Sequence, residues 1–210
     1  GADIHGYALP PQPGGFYELL DGDKYVTSST LGDINDESSL SSSLIKSRAE
    51  VILHLAAQPL VLDSYADPLN TYKTNVLGTL NLIESIRRSD SARAFVNITT
   101  DKVYENREWY WPYRENDQLG GHDPYASSKA CSEILTSSYY RSFFRSGDVG
   151  FATARSGNVI GGGDWSSNRI IPDFFRAAHS KSTLDVRNRN ATRPWQHVLD
   201  PLSGYLTLAS

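Results

Sequence analysis

The 210-residue sequence contains no methionine and a single cysteine, Cys131. One cysteine cannot close an internal disulfide, so a disulfide-stapled scaffold is excluded and a reducing compartment is expected. No second His or Cys sits at metal-ligand spacing from His54, which reads as a hydrogen-bonded core histidine, and no bound metal is expected. No run of roughly eighteen or more apolar residues occurs, and no charged segment leads into an apolar one, so neither a membrane span nor a secretory leader is expected. The expected location is the cytoplasm. Positive charge is sparse: the formal net charge is −4 and no basic block stands out. That argues against a nucleic-acid groove while leaving room for a local diphosphate pocket. Also missing is a G-x-G-x-x-G turn between a leading strand and a helix, since neither Gly14-Gly15 nor Gly161 to Gly163 is so placed. The opening GADIHGYALPPQ reads as the middle of a fold.

The 39% hydrophobic content is enough for the core of one domain and the start of a second. Ala94 to Ile98 reads as a buried strand, and Thr99, Thr100, Asp101 and Lys102 follow it. In a doubly wound α/β sheet, ligands bind beyond the carboxyl ends of the strands, so polar residues there are placed to act. Further on, Asp123 is an N-cap with Pro124 at the first helical position, which puts Tyr125 and Lys129 one turn apart on one face. An ammonium beside a phenol favours the phenolate, so Tyr125 is expected to take a hydroxyl proton near neutral pH. Taken alone, Y-x-x-x-K is equally the spacing of an aromatic–aliphatic packing pair.

The context narrows this. With the Thr-Asp-Lys run and WYWPYREN, the pattern resembles the extended short-chain dehydrogenase/reductase family, in which Tyr and Lys serve hydride transfer to and from bound NAD(P). The runs TTDKVYENREW, GGHDPYASSKA, GNVIGGGDW and RPWQHVLDPLSGYL resemble its CDP-glucose 4,6-dehydratase branch, across nearly the whole chain. The resemblance implies an α/β fold with a Rossmann-like, doubly wound parallel sheet that lacks its first βα unit. Residues 1–156 would form a partial NAD-binding domain, and 157–210 a substrate-binding portion interleaved with the last strands and helices. It implies NAD as cofactor, CDP-glucose as substrate, and a homodimer through the helices near 68–88 and 124–145.

By the same resemblance the catalytic residues are Thr100, Asp101 as acid, Lys102 as base, Tyr125 and Lys129. Lys102 acts as a base only when neutral, which nearby Lys129 and a positive nicotinamide favour and an ionised Asp101 opposes. Asp33 and Ile34 would lie beside adenine; Leu55, Ala56, Ala57, Gln58, Asn75 and Thr99 would join Tyr125 and Lys129 along the rest of the cofactor. Gln58, Asn158, Arg169 and Arg193 would hold the sugar nucleotide. Blander readings stand beside these. Asp33 is also a solvated loop carboxylate, Asn75 a helix-interior residue bonded to backbone, and Arg169, Arg187, Arg189 and Arg193 a solvated basic face. A 4-epimerase needs Tyr125 and Lys129 but no acid–base pair after Thr100, and a non-catalytic, ligand-sensing or truncated member would keep the site residues without holding a dinucleotide, which the missing glycine-rich turn favours.

Expected strands are Ala2 to Tyr7, Lys24 to Thr27, Val51 to Leu55, Ala94 to Ile98 and Gly150 to Ala154. Expected helices follow Asp36 to about Ser47, run from Pro68 to Ile86 and from Pro124 toward Gly147, cover Ile170 to Ala178, and start again at Pro201.

Overall fold

The computed structural model of the protein describes residues 1–147 and 149–210. In chain order its elements are β1 (His5–Ala8), α1 (Phe16–Leu19), β2 (Ser28–Leu31), α2 (Glu37–Ser47), β3 (Val51–His54), α3 (Val61–Ala66), α4 (Pro68–Tyr72), α5 (Gly78–Arg87), β4 (Ala94–Ile98), α6 (Pro124–Tyr139), β5 (Gly150–Ala154), β6 (Asn158–Ile160), α7 (Ile170–Ser180), β7 (Trp195–His197) and α8 (Leu199–Leu208). A π-helical turn, Lys73–Leu77, joins α4 to α5, so residues 68–87 continue as one helix with a widened turn in its middle.

Strands β3, β4 and β5 lie parallel in that order, with Ile52 beside Phe95 and Phe95 beside Phe151. A parallel sheet must cover both faces, and the period-two alternation of its strands divides their side chains between two cores. Ile52 and the fully buried Phe95 join Ile34, Leu40, Leu44, Leu82, Ile83 and Ile86 under α2 and α5. Val96 and Ala154 face the opposite way and meet Tyr205 of α8. Helices on both faces make this a doubly wound, Rossmann-like sheet.

The sheet is not continuous. Among the described residues β1 pairs only with β2, and β6 only with β7, each in parallel, so these strands stand in three groups. Tyr7 of β1 still packs against the core cluster under α2 and α5. Close approach on that side needs Gly78, where a Cβ would stand 2.6 Å from Ile34 Cγ2.

Local signals place the helix starts. Asp36 accepts from the Ser39 N–H at 3.0 Å, Asp67 from the Asn70 N–H at 3.0 Å, and Asp123 from the Ala126 N–H at 2.8 Å. Pro68 and Pro124 hold the first helical positions behind two of these caps. One expected strand is corrected: residues 22–25 form a 3-10 turn, and pairing begins only at Ser28. Asp21 enters that turn with φ 56°, and its carbonyl accepts the Lys24 N–H at 3.0 Å, which bends the chain away from an extended path. No helix among the described residues is long and apolar enough to cross a membrane.

Candidate active site

The carboxyl end of β4 and the start of α6 meet. Thr99 and Thr100 are buried, and a short 3-10 turn, Asp101–Val103, follows with Thr100 as its cap. Thr100 Oγ1 donates to Asp101 Oδ1 at 3.3 Å and accepts the Lys102 N–H at 3.4 Å. The Thr100 side chain also acts on the Tyr125 phenol, in the direction that favours the phenolate. Thr100 is thus bonded to the acid candidate.

Charges behave differently from expectation. Burial raises the Tyr125 pKa above its ordinary value, and Asp101 and Asp123 add to the rise; the Thr100 hydrogen bond and the charge of Arg169 act the other way. Lys129 is not what favours the phenolate here. It is 3% exposed, and its ammonium donates to the carbonyl of Ile98 at 2.8 Å. Burial lowers its pKa to about 8, against the raising influence of Glu133. Asp101 is also pushed upward by burial, opposed by Thr100, Lys102 and Arg193, so its carboxyl keeps a proton to higher pH than a surface aspartate. Lys102 is exposed, whereas Lys129 is buried, so the two amines stand in different surroundings.

The expected cofactor residues divide into two sets. Leu55 and Ala56 are exposed beyond β3, and Asp33 is exposed beyond β2 with one carboxylate oxygen accepting from the Asn35 N–H at 2.8 Å. These remain accessible. Four others are committed inside the protein. Ile34 is a core side chain. Gln58 donates to Thr71 Oγ1 at 2.9 Å and to the Leu60 carbonyl at 3.2 Å, and accepts the Leu60 N–H at 2.6 Å. Asn75 accepts the Gln58 N–H at 2.9 Å and donates to the Gln58 carbonyl at 3.1 Å and to Ser128 Oγ at 2.9 Å. Thr99 Oγ1 donates to Glu133 at 2.5 Å. Without a ligand, the polar atoms of these side chains are paired within the protein or their surface is packed.

On the substrate side, Asn158 opens β6, its N–H donating to the Pro194 carbonyl at 3.1 Å. That bond brings residues 157–158 beside Arg193. Arg169 donates to Asp164 at 3.2 Å and precedes α7. Arg169 acts on Tyr125 and Arg193 on Asp101 electrostatically, so both arginines border the strand-end site. Arg187 is instead tied to the Asn168 carbonyl at 2.9 Å.

Sequence reasoning missed Glu133, Arg155 and Ser128. Glu133 lies one turn beyond Lys129, at the spacing that linked Tyr125 to Lys129, and that periodicity was the available signal. Nothing in the sequence announces that Arg155 reaches back across β4.

A family model for GDP-mannose 4,6 dehydratase matches residues 21–209. The chain is 46% identical to CDP-glucose 4,6-dehydratase of Salmonella typhimurium over 216 aligned residues, covering 100% of this chain and 60% of that protein. Among solved structures, a dTDP-glucose 4,6-dehydratase from Streptomyces venezuelae with NAD bound superimposes with a TM-score of 0.79 at 28% identity, over 92% of this chain and 57% of the other. A dTDP-glucose 4,6-dehydratase from Bacillus anthracis, at 22% identity and a TM-score of 0.82 over 99% of this chain and 63% of that one, shares the fold. The chain thus spans about three fifths of the length of these relatives. With nearly all of its residues matched, the chain belongs to the GDP-mannose 4,6 dehydratase family.

Proposed function

We propose that this protein dehydrates CDP-D-glucose to CDP-4-dehydro-6-deoxy-D-glucose with bound NAD. The 46% identity to a CDP-glucose 4,6-dehydratase supports the nucleotide, and NAD in the related structure supports the cofactor. The residues present fit the nicotinamide half of a dinucleotide. Beyond β3 the small, exposed Ala56 leaves the backbone open to a flat ligand, and Tyr125 and Lys129 stand at the neighbouring strand end. Asp33 is assigned to the adenine end. We assign residues 1–156 to the nucleotide-binding part and 157–210 to the substrate side.

NAD, held by the residues beyond β3 and by Tyr125 and Lys129, would supply a reversible hydride acceptor for C4 and C6 of the sugar. Tyr125 Oη removes the C4 hydroxyl proton, with Thr100 and Arg169 favouring the phenolate. Lys129 holds its charge against the Ile98 carbonyl beneath that site. The C4 ketone acidifies C5–H, Lys102 takes the C5 proton, and Asp101 gives its proton to the departing C6 hydroxyl, which leaves as water. Once C6 is reduced, Lys102 returns a solvent-exchanged proton to C5 and is neutral again. Arg169 and Arg193 are assigned to the diphosphate.

The observation that carries this reading is Asp101: a carboxyl that burial makes readier to carry a proton, hydrogen-bonded to Thr100, whose side chain also acts on Tyr125. A 4-epimerase has no use for that proton. We also assign the cytoplasm as location, supported by the single cysteine, and a homodimer through residues 68–88 and 124–145, supported by exposed Leu69, Leu77, Ile134 and Phe143 on those helices.

The test is incubation of the whole protein with NAD and CDP-glucose in heavy water, with mass spectrometry of the nucleotide sugar. Loss of water with one deuterium gained at C5 is expected. Turnover to the C4 epimer without loss of water would overturn the dehydratase reading, and dehydration of UDP- or dTDP-glucose in preference to CDP-glucose would overturn the nucleotide.

A further inference from the structure

Glu133 and Arg155 form a buried ion pair that the proposed mechanism does not use. Glu133 lies one helical turn beyond Lys129 and is 4% exposed. Its carboxylate receives Thr99 Oγ1 at 2.5 Å, Arg155 Nε at 2.8 and 3.1 Å, and Arg155 Nη2 at 2.5 Å. Both partners are fully engaged, and Glu133 holds the guanidinium more firmly charged than usual.

From Arg155 the contacts spread outward. Nη1 donates to the Glu115 carbonyl at 3.1 Å, and the guanidinium carbon lies 4.7 Å from the centre of the Tyr104 ring. Tyr104 stacks on Tyr113 with centroids 4.8 Å apart, and Tyr113 meets Trp109 at 5.4 Å. These three rings belong to the segment 104–119, whose two ends bridge to each other at Tyr104 and Leu119. The segment begins right after the Asp101–Val103 turn and ends shortly before Asp123, the cap of the Tyr125 helix. The backbone on either side of Arg155 is also tied down: Ala154 O accepts the Thr99 N–H at 2.8 Å and Ser156 O accepts the Asp101 N–H at 3.0 Å.

A buried ion pair adds little net stability, because desolvating both charges offsets their attraction. What a bidentate Arg–carboxylate pair does supply is fixed geometry. Here that geometry joins the end of β4, the Lys129 face of α6 and the 104–119 segment at one point.

We propose that Glu133 and Arg155 are positioning residues that couple the Asp101–Lys102 turn to the Tyr125–Lys129 helix and keep the 104–119 segment docked. This rests on the dehydratase reading for its effect on rate, but its structural part does not. The charged and titratable groups that act on Lys129 or are acted on by it are Glu133 on the same helix and His54 at the end of β3; Tyr125 lies one turn before it, and Arg155 is bound to Glu133. Of these, Glu133 is the one that sustains the Lys129 charge against burial.

The experiment compares Glu133→Gln, Arg155→Met and the double variant Glu133→Leu/Arg155→Met, which removes both charges while keeping apolar bulk. In the whole protein, kcat is expected to fall by at least tenfold in each, with KM for CDP-glucose within about twofold, as positioning predicts. The alkaline limb of the rate moves to lower pH in Glu133→Gln and to higher pH in Arg155→Met, where the carboxylate faces Lys129 alone. Opposite displacements cannot come from simple destabilisation. Two readouts need no activity: the Lys129 side-chain titration followed by NMR is expected to shift in the same opposite directions, and trypsin is expected to cut at Arg107 and Arg114 faster in all three variants. If the whole protein turns over no nucleotide sugar, the dehydratase reading fails and these two readouts decide the pair alone. Unmoved titration of Lys129 and unchanged cleavage in a folded double variant would overturn the proposal.

Discussion

The ammonium of Lys129 donates to the carbonyl of Ile98 at 2.8 Å rather than turning to the Tyr125 phenol four residues before it. The two share a helix face, yet the lysine bends under the end of β4, where burial lowers its pKa to about 8 from 10.5. The unfolded chain therefore binds this proton more tightly than the folded one, and stability should rise between about pH 8 and 10.5 as the cost of a buried charge disappears. Lys129→Met should remove that rise. Its thermal stability at pH 7 should exceed wild type, by up to roughly 3 kcal/mol, while turnover drops by about 10²–10⁴-fold. Chemical unfolding of both proteins across that pH window checks the sign.

His54 titrates in the acid range. Its ring is 2% exposed, bonded to Thr79 Oγ1 at 2.9 Å, and burial, with the charge of Lys129, depresses its pKa to about 3. Below pH 6.5 the unfolded chain takes up a proton that the folded one refuses, so stability is full above pH 6.5 and is lost on descent toward pH 3. His54→Gln, which keeps a donor for Thr79, should unfold at lower pH than wild type. Its advantage should grow to on the order of 4 kcal/mol by pH 3. Acid titration by circular dichroism measures it.

Asn75 closes three hydrogen bonds within the π-helical turn, two of them to the backbone of Gln58. Asn75→Leu leaves the Gln58 N–H and carbonyl and the Ser128 hydroxyl without their partner, at a cost of roughly 2–4 kcal/mol. Denaturant unfolding should record that loss, and hydrogen exchange should accelerate first at Gln58 and Leu60. A loss under about 1 kcal/mol would mean that water replaces the amide.

How far the sequence foretold this site depends on how local each cause is. Asp36, Asp67 and Asp123 cap their helices through atoms three residues away, so their starts were legible. The strands Val51–His54, Ala94–Ile98 and Gly150–Ala154 were legible from their apolar runs. The side-chain destinations of Gln58, Asn75 and Thr99 were not, because their partners lie on other elements: Asn75 meets Ser128, 53 residues away. A polar residue beside a strand end looks the same in sequence whether it faces a ligand or a neighbouring helix. The Tyr125 pKa failed for a related reason. Spacing places Lys129 nearby, but only packing decides which acceptor its ammonium finds. The division of the strands into three groups also depends on pairing at long range, which no local pattern encodes.

The last prediction separates the acid from the tyrosine. Asp101 and Tyr125 are both raised by burial, and the Thr100 side chain acts on each in the lowering direction. Thr100→Val should therefore shift the two limbs of the pH–rate profile in the same direction, upward. The phenolate forms later, which costs activity near neutrality, while Asp101 stays protonated longer, which leaves elimination intact. Asp101→Asn should behave otherwise: C4 oxidation persists, elimination slows by about 10²-fold or more, and affinity for the sugar nucleotide stays within about threefold. In heavy water, Thr100→Val should release less product, each molecule carrying deuterium at C5. Asp101→Asn should return substrate that has exchanged C5 hydrogen without losing water, because Lys102 still removes the proton while the C6 hydroxyl has no acid. Substrate returned with no exchange at C5 would remove Asp101 from the elimination step and place it in binding.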